Sequence, residues 1–417
     1  MLAQGFDFRV LGALLMIAAL VAIVSQRLRL PYSAGLVVAG GALSLAAQGF
    51  TPPLTRDLIF LGFLPPLVFE AAIQIPWRRL RRELPLLAAL VTLGMALGVA
   101  VVAGGMHWLV GWSWLGAGLF GVLIAATDPV SVIAAFKQLH VAPRLHLLVE
   151  AESLLNDGVA AVGFAILAGV AAGGVATPAG VALNLVATVL GGIGCGVAVT
   201  VPLVLLAGRT QDRLVEIALS AIIAYGSFLL AEALGCSGVL ATLTAGLVVG
   251  NWGFSYAISD NGHEGVRGFW EVAAFAINSM IFLLIGGQGV TVPLGLVVEA
   301  AAVAVALSLL GRAATVYPVA FAFARTRLRV EWRYKHVLFW GGLRGALALA
   351  LALALPVQVA ERRTIVAVAF AVVAFSILVQ GLTMPWLVGS LGLRRGNGRA
   401  AGQGTSTVST ATGSVSG

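Results

Sequence analysis

Read along the chain, apolar positions neither alternate nor recur every third or fourth place. They run on for twenty residues or so and stop at short knots of Pro, Gly and charge. About 20 apolar residues of helix cross the hydrocarbon core of a bilayer. Continuous rather than alternating runs exclude a transmembrane barrel. Breaking at the knots predicts an all-α polytopic membrane protein with thirteen spans, near 9–25, 32–48, 56–75, 84–106, 113–136, 147–171, 180–207, 213–233, 236–250, 269–288, 293–323, 334–355 and 364–391. These make one transmembrane domain over residues 1–396. The Gly/Ser/Thr-rich remainder, 397–417, has no apolar pattern and is expected to be a disordered tail.

Loop charge orients the spans. Nineteen of the 25 Lys and Arg fall in loops on one side of the predicted spans, among them Arg78, Arg79, Arg81, Arg82, Lys137 and Arg144, against four on the other. The positive-inside rule puts that side in the cytoplasm. The N-terminus is then outside and the C-terminus inside, in a plasma membrane. The start has Asp7 where a signal peptide has a basic region, so span one is expected to be retained.

With 60% hydrophobic and 10% charged residues the chain is far from a soluble domain, and its net charge of +8 is spread through loops rather than gathered into a surface for nucleic acid. Cys195 and Cys236 stand singly in apolar stretches and suggest packing rather than a disulfide or metal site. The five histidines lie near predicted span ends. There is no HExxH, GxSxG or Walker-type motif, which argues against a membrane hydrolase or an ATP-driven pump, and no cofactor is expected.

The six spans on each side of the seventh suit an inverted repeat, 1–6 against 8–13. Span five carries "AATDPVSV" and span twelve "GGLRGALAL". Pro129 in the first and three glycines around Arg344 in the second predict discontinuous helices at matching places, a pointer to a midplane ion site.

Charges in mid-membrane are costly and mark function or pairing. Four carboxylates fall well inside spans: Glu70, Asp128, Glu152 and Asp157. In "ESLLNDGVAA" Ser153 and Asp157 share one helix face and Glu152 and Asn156 another. A hydroxyl one turn from a carboxylate makes an oxygen corner for a small hard cation. Burial disfavours the ionised form of a carboxyl, so a sequestered aspartate can take either a proton or a cation. The competing reading of Asp157 is a carboxylate that only fixes packing, and packing is the favoured role of Glu152. Asp128 is expected to compensate the positive ends of half-helices. Thr127 can bond the Asn156 amide or offer its freed carbonyl. Glu70, after a double proline, is either a core carboxylate or a group at the rim of a cation path. Glu232 and Glu271 lie nearer span ends and suggest snorkelling or capping. Arg312 and Arg344 need counter-anions, with Glu152 and the Asp128 region as the natural partners.

The motifs "FLPPLVFEAA", "ATDPVSV", "ESLLNDGVA", "GRAATVYP" and "GGLRGALALALALALP", in this order over residues 9–391, resemble the bacterial NhaP-like exchangers of the monovalent cation:proton antiporter-1 family, relatives of the eukaryotic sodium/proton exchangers. The resemblance implies a homodimer working by elevator-like alternating access and exchanging one Na+ or Li+ for one H+. It implies that Asp157 is the essential carboxylate, with Ser153 and the Thr127 backbone near the Na+, Glu70 helping and Asn156 counted among the ion-binding residues. It further implies that Thr127 stabilises Asn156, that Glu152 pairs with Arg312, and that Arg344 belongs to the broken twelfth helix. Electrogenic relatives carry Asp where this chain has Asn156, so electroneutral exchange is expected. A K+/H+ antiporter on the same site and an uncoupled channel are the rival transport readings.

Overall fold

In the computed structural model, residues 8–28, 31–46, 52, 54–174, 178–290 and 297–393 are described. The tail expected at 397–417 lies outside them. The described residues form helices and no strands. In chain order these are α1 (Phe8–Leu28), α2 (Tyr32–Ala46), α3 (Leu58–Gln74), α4 (Trp77–Val110), α5 (Trp114–Ala125), α6 (Val130–Leu139), α7 (Pro143–Ala171), α8 (Pro178–Ala207), α9 (Arg213–Ala233), α10 (Gly238–Tyr256), α11 (Asp260–Gly289), α12 (Val298–Ala322), α13 (Trp332–Trp340), α14 (Ala346–Leu353) and α15 (Arg362–Ser390). Among the described residues nine segments are long and apolar enough to cross a membrane, counting α5 with α6 as one.

Helix ends follow local chemistry. Ser113, Asp212, Ser237 and Ser259 each turn a side-chain oxygen onto an amide in the first turn of α5, α9, α10 and α11, satisfying donors that no earlier carbonyl can reach. Pro66 has no N–H for the carbonyl of Gly62, four residues earlier. The Tyr225 hydroxyl donates to that carbonyl instead, at 3.0 Å.

Two boundaries differ most from expectation. Span four begins at Trp77 rather than 84, because the basic stretch Trp77–Arg82 continues the helix, with its arginines exposed and Leu80 buried. Span ten begins at Asp260 rather than 269, since the capped, polar first turns of α11 carry no apolar signal.

The helices pack in two groups. In one, α2 lies along α11, and α3, α8 and α9 surround α10. Its core includes Phe69 against Trp270, ring centroids 4.9 Å apart. In the other, α4 lies along α12, α5 on α4 and α7, and α15 on α12 and α14. Both rest on close backbone approach. A Cβ at Gly40 would lie 2.0 Å from the Leu283 carbonyl oxygen across the α2–α11 contact, and one at Gly311 2.9 Å from that of Gly98 across α12–α4. Small residues permit such contacts in bilayers, where van der Waals packing replaces the hydrophobic drive between helices.

Candidate ion site at the crossing of two broken helices

Both predicted breaks are present. The chain leaves the helix over residues 126–129, between α5 and α6, and again over 342–345, between α13 and α14. The two unwound stretches touch, the amide of Asp128 donating to the carbonyl of Leu343 at 2.8 Å.

Four half-helix ends meet here, and each has a charged partner for its dipole. The Asp128 carboxylate accepts from the amide of Val130, at the start of α6, at 2.9 Å. It also lies against Gly345, just before α14, where an added Cβ would be 2.3 Å from its Oδ2. Arg344 donates to the carbonyls of Ala125 and Ala126, at 3.1 and 3.4 Å, at the end of α5. Arg312 donates to the carbonyl of Leu338, at 3.1 and 2.7 Å, in the last turn of α13. Arg344 therefore spends its charge on backbone carbonyls beside the Asp128 region rather than on the Asp128 carboxylate.

The middle of α7 completes the site. The Thr127 amide, freed by the break, donates to Oδ1 of Asp157 at 3.1 Å. The Ser153 hydroxyl donates to the Thr127 carbonyl, and the Thr127 hydroxyl lies 3.2 Å from it. Asp157, Ser153 and the Thr127 carbonyl thus put carboxylate, hydroxyl and carbonyl oxygens in one corner, the donor set that suits a hard monovalent cation.

Asp157 is half-buried because one side faces a cavity of about 430 Å3. Glu70 lines that cavity and accepts from Gln74. Lys137, Glu150 and Glu271 line it too. Glu271, whose position suggested snorkelling or capping, is an exposed residue that also lines this cavity. Glu150 went unrecognised in the sequence, although the signal was there: it lies seven residues before Asp157, two turns along the same face of α7.

Glu152 and Asn156 occupy the other face. Glu152 is 2% exposed and makes a two-pronged ion pair with Arg312, Oε2 to Nη2 at 2.8 Å. Asn156, expected among the ion-binding residues and as a partner of Thr127, donates to Glu152 at 3.2 Å instead. It lines a separate small void with Arg312 and Arg344, not the cavity of Asp157. The reason is helical: neighbours on a helix point about 100° apart, so Asn156 and Asp157 cannot face one space.

Comparison with known proteins shows the family. The family model for the transmembrane sodium/hydrogen exchanger matches residues 14–389. The chain is 38% identical over 386 residues to the Na+/H+ antiporter ApNhaP of Aphanothece halophytica, covering 92% of this chain and 74% of that one. It is 34% identical over 393 residues to the Na+/H+ antiporter NhaG of Bacillus atrophaeus, covering 91% and 74%. The solved structure of the sodium proton antiporter MjNhaP1 from Methanocaldococcus jannaschii shares the fold, with a TM-score of 0.72 at 20% identity over 92% of this chain and 97% of that one. The chain belongs to the transmembrane sodium/hydrogen exchanger family, and is a multi-span membrane transporter rather than an enzyme.

Proposed function

We propose that the chain exchanges Na+ or Li+ for H+, one for one and without net charge movement, and that Asp157 carries either ion in turn. The observation that carries this reading is the position of Asp157, held by the Thr127 amide at the crossing of the broken helices and open to a cavity on its other side. An anionic Asp157 with Ser153 and the Thr127 carbonyl supplies oxygens to Na+. A protonated Asp157 keeps the Thr127 hydrogen bond and has no charge to hold a cation. One group with two exclusive occupants couples the two fluxes. Asn156 cannot ionise and is turned away from the cavity, which supports a single titrating group and electroneutral exchange.

Lys137, near the end of α6 and beside a basic loop, is among the residues that line the cavity, and we take that end as its mouth. With the positive-inside rule this is the cytoplasmic face of a plasma membrane, the N-terminus lies outside, and the conformation faces inward. The helices are then thirteen crossings, with α5–α6 and α13–α14 as one each. The group of α4–α7 with α12–α15 is the moving part of an elevator, and the group containing α2 and α11 is the scaffold, in a homodimer.

Everted vesicles or proteoliposomes with an internal pH dye test the reading. Adding Na+ or Li+ to acid-loaded vesicles should release the trapped protons with no dependence on membrane potential. Asp157→Asn should abolish the response while leaving the protein folded and inserted; full exchange by that variant would falsify the role of Asp157. A response to K+ equal to that to Na+ would move the assignment to K+/H+ exchange.

A further inference from the structure

The first turns of α4 hold four arginines, Arg78, Arg79, Arg81 and Arg82, and all four are exposed. Among the described residues no carboxylate pairs with them: the adjacent Glu83 is taken by Arg144, at 2.8 and 3.0 Å. Unpaired basic residues at a membrane face attract anionic lipid. Beside them lies a groove of about 420 Å3, lined by Trp77 and Leu84 of α4, Leu155 of α7, Ile193 of α8, and Leu247 and Trp252 of α10. Its polar lining groups are satisfied within the protein. Asn251 accepts from the Trp77 amide at 2.7 Å and donates to the carbonyls of Ile75 and Leu247 at 2.9 Å. The Thr244 hydroxyl donates to the Leu240 carbonyl at 2.8 Å. What the groove offers an occupant is therefore apolar surface. Trp77 and Ile193 are 45% and 40% exposed, so the groove opens outward from the helices.

We infer that groove and arginines form one site for an anionic phospholipid, with an acyl chain in the groove and the headgroup phosphate against Arg81 and Arg78. Helix geometry joins the two halves. Trp77 and Leu84 are seven residues apart on one face of α4, and Arg81 falls between them, one turn from each. Arg78 stands one turn before Arg81. At about 30 Å3 for a group the size of a water, the groove has room for about 14 such groups, the bulk of one acyl chain. Trp77 and Trp252, near their helix ends, suit the headgroup level, where indole rings gather. Charge selects the occupant. A zwitterionic lipid offers the arginines no net charge, and a second copy of this chain, at +8, brings the same basic turn rather than an anion. The site joins α4 and α7 of one helix group to α8 and α10 of the other. It does not depend on which ion the chain carries.

Native mass spectrometry of the full chain, purified in detergent, tests the site. Phosphatidylglycerol is the probe and phosphatidylcholine with the same acyl chains the control. The unaltered protein should retain phosphatidylglycerol at the lower lipid concentration. Arg78→Gln combined with Arg81→Gln should weaken that retention by about 30-fold, about fivefold for each basic residue near an anionic headgroup, and leave phosphatidylcholine unchanged. Both arginines are exposed, so this variant should keep its fold and its result stands alone. Leu247→Trp, which fills the groove, should weaken retention of both lipids. Equal retention of the two lipids by the unaltered protein, or no loss in the arginine variant, overturns the site. Full displacement of phosphatidylglycerol by glycerol phosphate, which has no acyl chain, overturns the groove as part of it. If Leu247→Trp instead splits a dimer into monomers and leaves lipid retention intact, a second copy covers the groove and the inference falls.

Discussion

At the residue scale, the membrane interior holds charge only where each charge has a partner. Removing one member of a buried ion pair strands the other, at about 3–5 kcal/mol. Glu152→Ala and Arg312→Ala should each lower the unfolding temperature in detergent, with the arginine change the worse because it also strips the Leu338 carbonyl. The double variant should lose less than the sum; strict additivity would count against the pair. Outside the spans, Glu361 accepts from the amide of Ser113 at 2.8 Å and from its hydroxyl at 3.1 Å. Burial works to raise the Glu361 carboxyl, but the Ser113 amide, its own amide and the Ser113 hydroxyl outweigh burial and hold it below the ordinary carboxylate value. A depressed folded-state value stabilises the fold above the unfolded-state value, and that contribution is lost as pH falls through the folded-state value. Glu361→Gln should therefore cost under about 1 kcal/mol at neutral pH, screened as this group is by solvent. The deficit should vanish in acid, in paired denaturation curves at the two pH values.

At the element scale, what organises the site is the meeting of four helix ends. A break leaves amides and carbonyls without intrahelical partners, and in hydrocarbon those must be met by protein or cavity water. The proline and glycines that cause the breaks are plain in the sequence, as is the need for an anion at the α6 end. Which arginine serves which end is not, because Arg312 and Arg344 reach carbonyls at the ends of other helices, and no spacing rule spans such a distance. The crossing leaves no room at Gly345, where any side chain would enter the Asp128 carboxylate. Gly345→Ala should therefore displace Asp128, uncap α14 and cost most of the exchange rate, measured as Na+-driven proton release per inserted protein. Asp128→Asn, which keeps the bond to Val130 but drops the charge, should fold better than Gly345→Ala. The opposite order would argue against steric exclusion at the crossing.

At the scale of the whole molecule, the seam between the two groups matters most, since the cavity that Asp157 faces is lined by helices of both groups. By itself the amino-acid sequence determined the membrane setting, the places of the breaks, the sharing of a helix face by Ser153 and Asp157, and the partnership of the five family motifs, because all of these are written in composition or in spacing along one helix. Only the tertiary structure decided that Glu150, Glu271 and Lys137 share a cavity with Asp157 and that Asn156 turns to Glu152. These depend on which helices lie side by side and how each is rotated about its axis. In a chain whose helices are nearly all apolar around their circumference, the hydrophobic pattern carries little information on that rotation, and close packing of small residues and buried charge pairs fixes it instead.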